Sequence, residues 1–442
     1  MRHTRPARLS GGLATCVAAA WLWTGLAPAR AAEVVILDRE LRAQPVNLAR
    51  IAGGRVYFSS PGGGGAGAEG AGGEERSIGI ESVAAIIEPG WWVEDLAAAR
   101  PGVRTEAAGA FGMIELTDGR RVMGQVDIPS EQVSDTSAPG DAGSDVIRWL
   151  HSGALGSLEF KLEDVARVRR AGAGDEGARS AGGGAAGAGR GGPERDRVLL
   201  TNGDAISGLV ERIGLEVWVS DRGSVTRTPL ARVQEIRLVN PAAEPRGTVV
   251  WLRDGSVIRV EHVGVDSSRG MLLGIEPSEG RSRQVALSTE QVRAIVPDVQ
   301  RLRALSSLAI TAQRIAPGRI APMEPAEVVP GSTGLLGVGN IELDGPMSVE
   351  WALPTGAARV AGWLVLPASS AHWGDCVVRI EAIGGSGPAT EIARESVQAD
   401  RAVVAVNAKI PAGASGLRIS LDEGPSGPIQ DRVVLHRFVI AR

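Results

Sequence analysis

The chain has 442 residues, 43% of them apolar, which is enough for roughly three or four domains of ordinary size. Its formal net charge is −4 at pH 7. A mildly acidic chain argues against nucleic acid and anionic membrane surfaces as partners, because contacts to phosphate groups need clustered cations.

Residues 1–31 have the three parts of a secretory signal. Early arginines precede an apolar core, LATCVAAAWLWTGLA at 13–27, and the segment ends at a small-residue cleavage pattern, Ala29-Arg30-Ala31. Cleavage would remove four arginines and no acids, which changes the formal charge from −4 to −8. No later stretch approaches about 18 consecutive apolar residues. We therefore expect an exported protein with no membrane span after cleavage.

Within residues 111–298, a dipeptide of Asp or Asn followed by Gly occurs three times between alternating apolar residues. It is the strongest short-range signal for a β-hairpin, because a two-residue type I′ turn needs positive φ at both central positions. We predict such turns rather than calcium ligands, since calcium takes roughly six to eight oxygens and each turn offers one acidic side chain at most. The dipeptides are Asp118-Gly119, Asn202-Gly203 and Asp254-Gly255.

Each hairpin is followed by a second pair of strands and a closing segment of the form Val-x-x-Ile or Val-x-x-Val, as in ARVQEI and EQVRAI. Aligning these three copies reveals a fourth near the N-terminus, where Asp38-Arg39 stands in place of Asp-Gly. Recurrence at this spacing indicates a repeat architecture. The copies are 33–90, with a Gly-rich insert at 60–75, then 111–170, 196–241 and 247–298, and a Gly/Ala-rich linker occupies 171–194.

Through this turn and closing pattern, residues 33–298 resemble tandem small Sm-like or PRC-like β-barrels. The resemblance implies an all-β region of small barrels. Packing in pairs is one arrangement of these barrels, and the sequence does not determine whether they pack together. A four-bladed propeller is the alternative fold, because four or five strands per copy also suit a propeller blade. The long tracts of Gly and Ala favour barrels, since propeller blades abut through short connections.

The remaining sequence divides into a connector and a second β region. Residues 299–332 contain four prolines, which impose an extended path. Residues 335–442 contain seven or eight short strands between turn residues, which is typical of a β-sandwich.

This last region resembles the NPCBM family, a galactose-binding-like jelly roll often attached to secreted carbohydrate-active proteins. The matching pieces are LLGVGNIELDGPMSVEWALP, RVAGWLVLP, GDCVVRIEAIG, LRISLDEG and QDRVVLHRFVI. Where the family usually carries a His-Ser segment, near 338–346, this chain has GVGNIELDG.

The stretch HWGDC at 372–376 is the densest group of polar and aromatic residues in the chain. In a lectin-like site, Trp373 would stack on a sugar while His372 and Asp375 bonded its hydroxyl groups. In the plainer alternative, the loop is structural and Trp373 covers one end of the sandwich. A third interpretation pairs Cys376 with His372 as a nucleophile and base. In the mature chain Cys376 is the only cysteine, so no internal disulfide can form.

The adjacent Trp91 and Trp92 follow the first copy. Two neighbouring side chains on one strand point to opposite faces, so both cannot enter one core. Either Trp92 is an exposed platform for a ligand, or both tryptophans lie at an interface between domains.

No catalytic or metal-binding constellation is evident. The four histidines after residue 31 are not spaced for an HExxH or similar metal site, and the sequence lacks a G-x-S-x-G motif and the lysine of a phosphate-binding loop. We therefore expect no catalytic residues, no metal and no cofactor.

These observations favour an exported, non-enzymatic protein of the periplasm or cell surface. Its barrels would act as a spacer or interaction array, and its jelly roll would bind carbohydrate or another cell-surface component, with a protein partner also possible. One alternative is a purely structural envelope-assembly protein without sugar binding. A second alternative is a secreted hydrolase whose carboxylates come from distant strands.

Overall fold

A computed structural model gives the fold of the chain. The described residues are 32–61, 74–89, 91–92, 112–127, 145–170, 195–266, 270–275, 283–315, 327–328, 335–370, 374–384, 388–425, 427 and 431–442. Throughout these ranges the regular structure is β-strand with short 3-10 turns, which confirms the all-β prediction. None of the helical segments in these ranges is long and apolar enough to cross a membrane.

Twenty strands form four units of five, called barrels 1 to 4 below. Barrel 1 contains β1 Ala32–Asp38, β2 Ala43–Ala52, β3 Arg55–Ser59, β4 Arg76–Gly79 and β5 Val83–Ile87. Barrel 2 contains β6 Gly112–Leu116, β7 Arg121–Val126, β8 Val146–His151, β9 Ser157–Lys161 and β10 Val165–Arg169. Barrel 3 contains β11 Asp196–Leu200, β12 Ala205–Ile213, β13 Glu216–Asp221, β14 Ser224–Pro229 and β15 Val233–Arg237. Barrel 4 contains β16 Thr248–Leu252, β17 Val257–Asp266, β18 Gly270–Ile275, β19 Arg283–Leu287 and β20 Val292–Val296.

Each unit closes on itself. Successive strands pair antiparallel, and the fifth strand returns through a 3-10 turn to pair with the first, as β15 does with β11. An open propeller blade lacks this pairing of first and last strands, so the barrel interpretation is correct and the propeller alternative is wrong. The 3-10 turns before the closing strands are Ile80–Ser82, Leu162–Asp164, Leu230–Arg232 and Thr289–Gln291.

The barrels are joined in pairs through their closing strands. In barrels 1 and 4, β5 pairs with β20, with Ile86 opposite Ile295. In barrels 2 and 3, β10 pairs with β15, with Val168 opposite Ile236. β17 also pairs with β2 and β7, so all twenty strands belong to one sheet, and one apolar core cluster draws on all four barrels.

The three predicted turns have a different geometry from the one expected. Positive φ occurs at the glycine of each dipeptide (82° at Gly119, 90° at Gly203 and 96° at Gly255) and not at the preceding acid or amide. In the first turn the Gly119 N–H donates to the Leu116 carbonyl, which makes a three-residue loop with a glycine bulge rather than a type I′ turn.

The side chain of the Asp or Asn in these turns forms a hydrogen bond within the turn. Its side-chain oxygen accepts the backbone N–H two residues later, at 3.1 Å from Arg120 to Asp118 and at 2.8 Å from Ser256 to Asp254. Asn202 makes the same contact with Asp204 at 3.2 Å. This Asx-type bond stabilises the turn without requiring positive φ at the Asp or Asn itself.

The degenerate turn of barrel 1 is also aligned differently from the prediction. The Leu41 N–H donates to the Asp38 carbonyl, and Leu41 has a φ of 55°, so Leu41 takes the place of the turn glycine. Asp38 therefore opens the loop instead of lying at its centre. The left-handed conformation is costly for leucine, but here the side chain is buried against the sandwich, at 2% exposure.

The remaining strands form a two-layer sandwich. They are β21 Leu302–Ala304, β22 Ile310–Ile315, β23 Glu327–Val328, β24 Ile341–Asp344, β25 Met347–Ala352, β26 Arg359–Val365, β27 Cys376–Gly384, β28 Thr390–Val397, β29 Val403–Lys409, β30 Ala414–Glu423 and β31 Arg432–Ala441. Three further 3-10 turns occupy Val299–Arg301, Leu305–Ser307 and Leu335–Gly337. One sheet has the order β22-β25-β30-β27-β28, and the other is built around β23-β24-β31-β26-β29.

The segment predicted as a connector contributes to both layers of the sandwich. β21 pairs with β31 and β22 pairs with β25. The backbone that leads from barrel 4 into the sandwich therefore forms two strands of its own. Each of them pairs with a strand edge that is otherwise unpaired.

A separate apolar cluster, called the interface core below, joins barrels 1 and 4 to the sandwich. Its aromatic members are Trp91, Trp92, Trp251 and Trp363. The side-chain amide of Asn407 in β29 also donates to the Glu40 carbonyl at 3.0 Å, which ties the first turn of barrel 1 to the sandwich.

Candidate functional site

The candidate ligand loop lies between β26 and β27. The Ser370 N–H donates to the Pro367 carbonyl and the Gly374 N–H donates to the Ser370 carbonyl, both at 2.8 Å. Asp375 is the last residue before that strand and is half-buried. Of the predicted site residues in this loop, His372 and Trp373 lie outside the described residues.

Two carboxylates act electrostatically on the first residue of β27. The charges of Asp431 and Asp375 both raise the pKa of the Cys376 thiol. The side chain of Asp431 is almost fully buried, at 1% exposure, and its backbone carbonyl accepts the Gly345 N–H at 2.7 Å. A Cβ at Gly424 would collide with the Asp375 carbonyl, so glycine lets the 424 segment approach the loop.

Cys376 is not arranged as a nucleophile. Burial raises the pKa of its thiol to about 12, and the charges of Asp431 and Asp375 add to the shift. The reactive form of cysteine is the thiolate, and with this pKa the thiol stays protonated at neutral pH. Its sulfur contacts the Val397 carbonyl at 3.8 Å, which is the environment of a small core residue.

Trp92 lies in the interface core, at 7% exposure. Its ring meets Trp363 edge to face with centroids 4.7 Å apart, and Trp91 is 5.7 Å away. Both adjacent tryptophans thus contribute to the contact between barrels and sandwich, and the Trp92 ring is not exposed for stacking on a ligand.

A partly buried positive charge lies beside these tryptophans. Arg437 has a φ of 54° in a bulge of β31 opposite Gly362, where a Cβ would lie 2.5 Å from the Phe438 ring. The Arg437 guanidinium lies 5.0 Å from the Trp91 ring centroid. Burial lowers the pKa of His436 to about 4, with a further contribution from Arg437, so this histidine is neutral at physiological pH.

Sequence reasoning missed a buried polar network between barrels 2 and 4. His151 Nε2 lies 2.8 Å from Asp254 Oδ2 and 3.2 Å from Ser256 Oγ. The Gly153 N–H donates to His151 Nδ1 at 2.8 Å, so the proton of the neutral ring is on Nε2. The sequence predicted that Asp254 lies in a hairpin turn. A turn of that kind gives no indication of a partner in another barrel.

This His-Asp-Ser group is not a catalytic triad. In a triad the serine and the aspartate face opposite ring nitrogens, whereas both groups here share Nε2. His151 and Ser256 are also buried, at 6% and 0% exposure, and the Met123 N–H donates to Ser256 Oγ. Burial alone would raise the pKa of Asp254, but hydrogen bonds from His151 and the Ser256 backbone lower it overall. The network is a joint between barrels.

A groove between barrels 2 and 3 has a volume of about 1030 Å³. Five acids line it, but three are held by neighbours. Asp196 accepts backbone N–H groups from Val210 and Val239, both at 2.8 Å. Asp221 pairs with Arg195 at 2.7 Å, and Glu163 pairs with Lys161 at 3.4 Å. Within the described residues, no group of three or more His, Cys, Asp or Glu side chains is placed to hold a metal ion.

Comparison with known proteins gives distant structural neighbours. A scan against protein-family models gives no match, and neither does a search of curated proteins. Among solved structures, the chain is similar to the CBM51-2 and INT domains of Clostridium perfringens ZmpB in complex with GlcNAc, at 9% identity and a TM-score of 0.25. That match covers 41% of this chain and 38% of the other, so the chain spans well under half of that structure.

Two further neighbours are single modules. The CBM51 of a Clostridium perfringens GH95 protein, in complex with methyl-galactose, is 12% identical with a TM-score of 0.25, and the match covers 32% of this chain and 99% of the module. CsCBM6-3 from Clostridium stercorarium, in complex with cellobiose, is 14% identical with a TM-score of 0.20, and the match covers 32% and 92%. These neighbours are carbohydrate-binding modules, but at such TM-scores their sugars are not transferred to this chain.

Proposed function

We propose that this protein is an exported, non-enzymatic scaffold whose C-terminal sandwich binds a carbohydrate or another cell-surface component through the loop at 371–375. The observation that carries the proposal is the half-buried Asp375 at the C-terminal end of that loop, directly before β27. Carboxylates accept hydrogen bonds from hydroxyl groups, and the same loop contains His372 and Trp373 in sequence. An aromatic ring beside hydrogen-bonding groups suits the apolar face and hydroxyl edge of a sugar.

The scaffold part of the proposal is supported by the connections between barrels. Paired closing strands and a buried polar joint hold the barrels together, and the interface core joins barrels 1 and 4 to the sandwich. Such connections suit a spacer that presents a binding loop. Export to the periplasm or cell surface is proposed from the signal-like segment 1–31.

Retention on immobilised polysaccharides, followed by a glycan array, tests the binding part. The mature protein is compared with Trp373→Ala and with Trp218→Ala, which removes a half-buried tryptophan from barrel 3. We expect the wild type and Trp218→Ala to be retained and Trp373→Ala to lose at least about tenfold in affinity, since an aromatic anchor contributes on the order of 1–2 kcal/mol.

Failure of the wild type to bind any glycan would overturn the carbohydrate part. A stable protein partner found by crosslinking in that case would favour the structural envelope-assembly alternative. Equal retention of all three proteins would show that glycan binding occurs away from the 371–375 loop.

A further inference from the structure

Barrel 3 has an unusually exposed edge strand. β14 pairs with β13 and with no other strand in the described ranges, and five of its six residues are exposed. The other side of an edge strand presents unpaired backbone N–H and C=O groups, which can pair with a further strand. β14 carries little of the charge that usually protects such an edge, since Arg227 is its one ionisable residue.

That arginine belongs to a ladder across three strands. Arg212 in β12, Trp218 in β13 and Arg227 in β14 are direct cross-strand partners. The guanidinium of Arg227 lies 4.1 Å from the Trp218 ring centroid, and that of Arg212 lies 5.3 Å from it. Stacking on the ring restrains the Arg227 side chain and leaves its N–H donors available.

The charge of Arg227 is not neutralised within the described part of the chain, where no carboxylate pairs with it. Barrel 2 differs at its equivalent edge, because Glu159 in β9 pairs with Arg148 in β8 at 2.9 Å. A guanidinium that is restrained by stacking, and that has no carboxylate partner among the described residues, is suited to bind a carboxylate of another molecule.

Two exposed apolar side chains lie beside this ladder on the same face. Leu209, Ser220 and Val225 are opposite one another, and Leu209 and Val225 are 63% and 48% exposed. Val225 and Arg227 are two residues apart on β14, so both point to the outer face. A strand added to this edge would therefore meet an apolar position and a cationic position at the spacing of alternate residues.

We propose that β14 is a docking edge for an extended acidic peptide from a protein partner, with a carboxylate opposite Arg227 and an apolar side chain opposite Val225. Only a peptide backbone can continue the sheet, which distinguishes this partner from a glycan or a nucleic acid.

Fluorescence anisotropy with labelled ten-residue peptides tests this proposal on the full mature chain. The probe repeats Thr-Glu-Ser-Val, which puts Glu and Val alternately on one face. One control replaces Glu by Lys, and the other keeps the sequence but carries N-methyl groups on alternate amides. We expect the Glu peptide to bind about tenfold more tightly than the Lys peptide at low salt, and the N-methylated peptide to lose binding.

Matched variants locate the site. Arg227→Glu is expected to weaken the Glu peptide by about tenfold and to strengthen the Lys peptide. Arg76→Glu, at an exposed position on the fourth strand of barrel 1, is expected to change neither. Both residues are exposed, so both variants should keep the wild-type circular dichroism spectrum.

Three outcomes would overturn the proposal. The first is equal or absent binding of the Glu and Lys peptides, and the second is undiminished binding of the N-methylated peptide, which would show attraction by charge without strand pairing. The third is a wild-type dimer in sedimentation that Arg227→Glu disrupts, since this result would assign the edge to a second copy of the chain.

Discussion

At the scale of single residues, two strained backbone conformations lie where the barrels meet the sandwich. Leu41 takes the left-handed backbone that glycine takes in the other barrels, and its side chain is buried in the interface core. Arg437 is also left-handed and lies against Trp91. Such strain persists only where surrounding packing holds it, which makes this contact important for stability.

His436 should make stability dependent on pH. Its folded pKa of about 4 lies below the ordinary 6.5 because of burial and the charge of Arg437. In acid the unfolded chain therefore binds a proton that the folded chain does not, so stability is lost as pH falls from about 6.5 to about 4. After allowance for partial solvent screening, we expect this histidine to account for a loss of about 2 kcal/mol.

Urea unfolding at a series of pH values measures this effect. His436→Phe keeps an aromatic ring beside Trp363 but cannot titrate, so its unfolding free energy should decline less over that range. The control is His262→Phe, which makes the same substitution at an exposed position in β17. Parallel curves for the wild type and His436→Phe would contradict the assignment.

At the scale of elements, the same turn is used for two purposes. Asn202 only stabilises its own turn, through the Asx-type bond to Asp204. Asp254 makes that bond and also accepts a hydrogen bond from the buried His151 of barrel 2. The alternating pattern predicted both hairpins, because the conformation of a tight turn depends on residues that are adjacent in the sequence. The second partner of Asp254 lies about a hundred positions away and leaves no local pattern.

Replacing these two residues separates the two purposes. Asp254→Ala removes the turn bond and also leaves the Nε2–H of buried His151 without its carboxylate, whereas Asn202→Ala removes a turn bond alone. We expect Asp254→Ala to lower the free energy of unfolding by about 2 kcal/mol more than Asn202→Ala, as measured in urea at pH 7. Equal losses would mean that the buried joint adds nothing to stability.

At the scale of the whole molecule, strand content and the closed barrels could be predicted, but the order of association could not. Barrel 1 pairs with barrel 4 and barrel 2 with barrel 3. The sequence of β5 does indicate that this strand is covered by another element. Its residues, VAAII, are all apolar, and all are buried in the structure. A strand of that kind is covered on both faces, although its composition cannot identify the covering partner.

The candidate ligand loop was predicted only in part. The cluster HWGDC is visible in the sequence, but Asp431, directly before β31, is 55 positions beyond Cys376, and no local pattern indicates that its charge acts on the Cys376 thiol. Trp92 was also predicted as a candidate ligand residue, because the exposure of either ring cannot be deduced from two adjacent tryptophans in a sequence. In the structure the Trp92 ring is buried against Trp363.

The central claim is that the barrels and the sandwich form one cooperative scaffold, joined at the interface core. Differential scanning calorimetry of the mature protein tests it, with Trp92→Ala as the perturbation and Trp218→Ala in barrel 3 as the control. Truncating a buried tryptophan costs about 3–5 kcal/mol, so we expect one transition for the wild type and Trp218→Ala, and two separated transitions for Trp92→Ala. Two separate transitions in the wild type, or an unchanged single transition in Trp92→Ala, would contradict the claim.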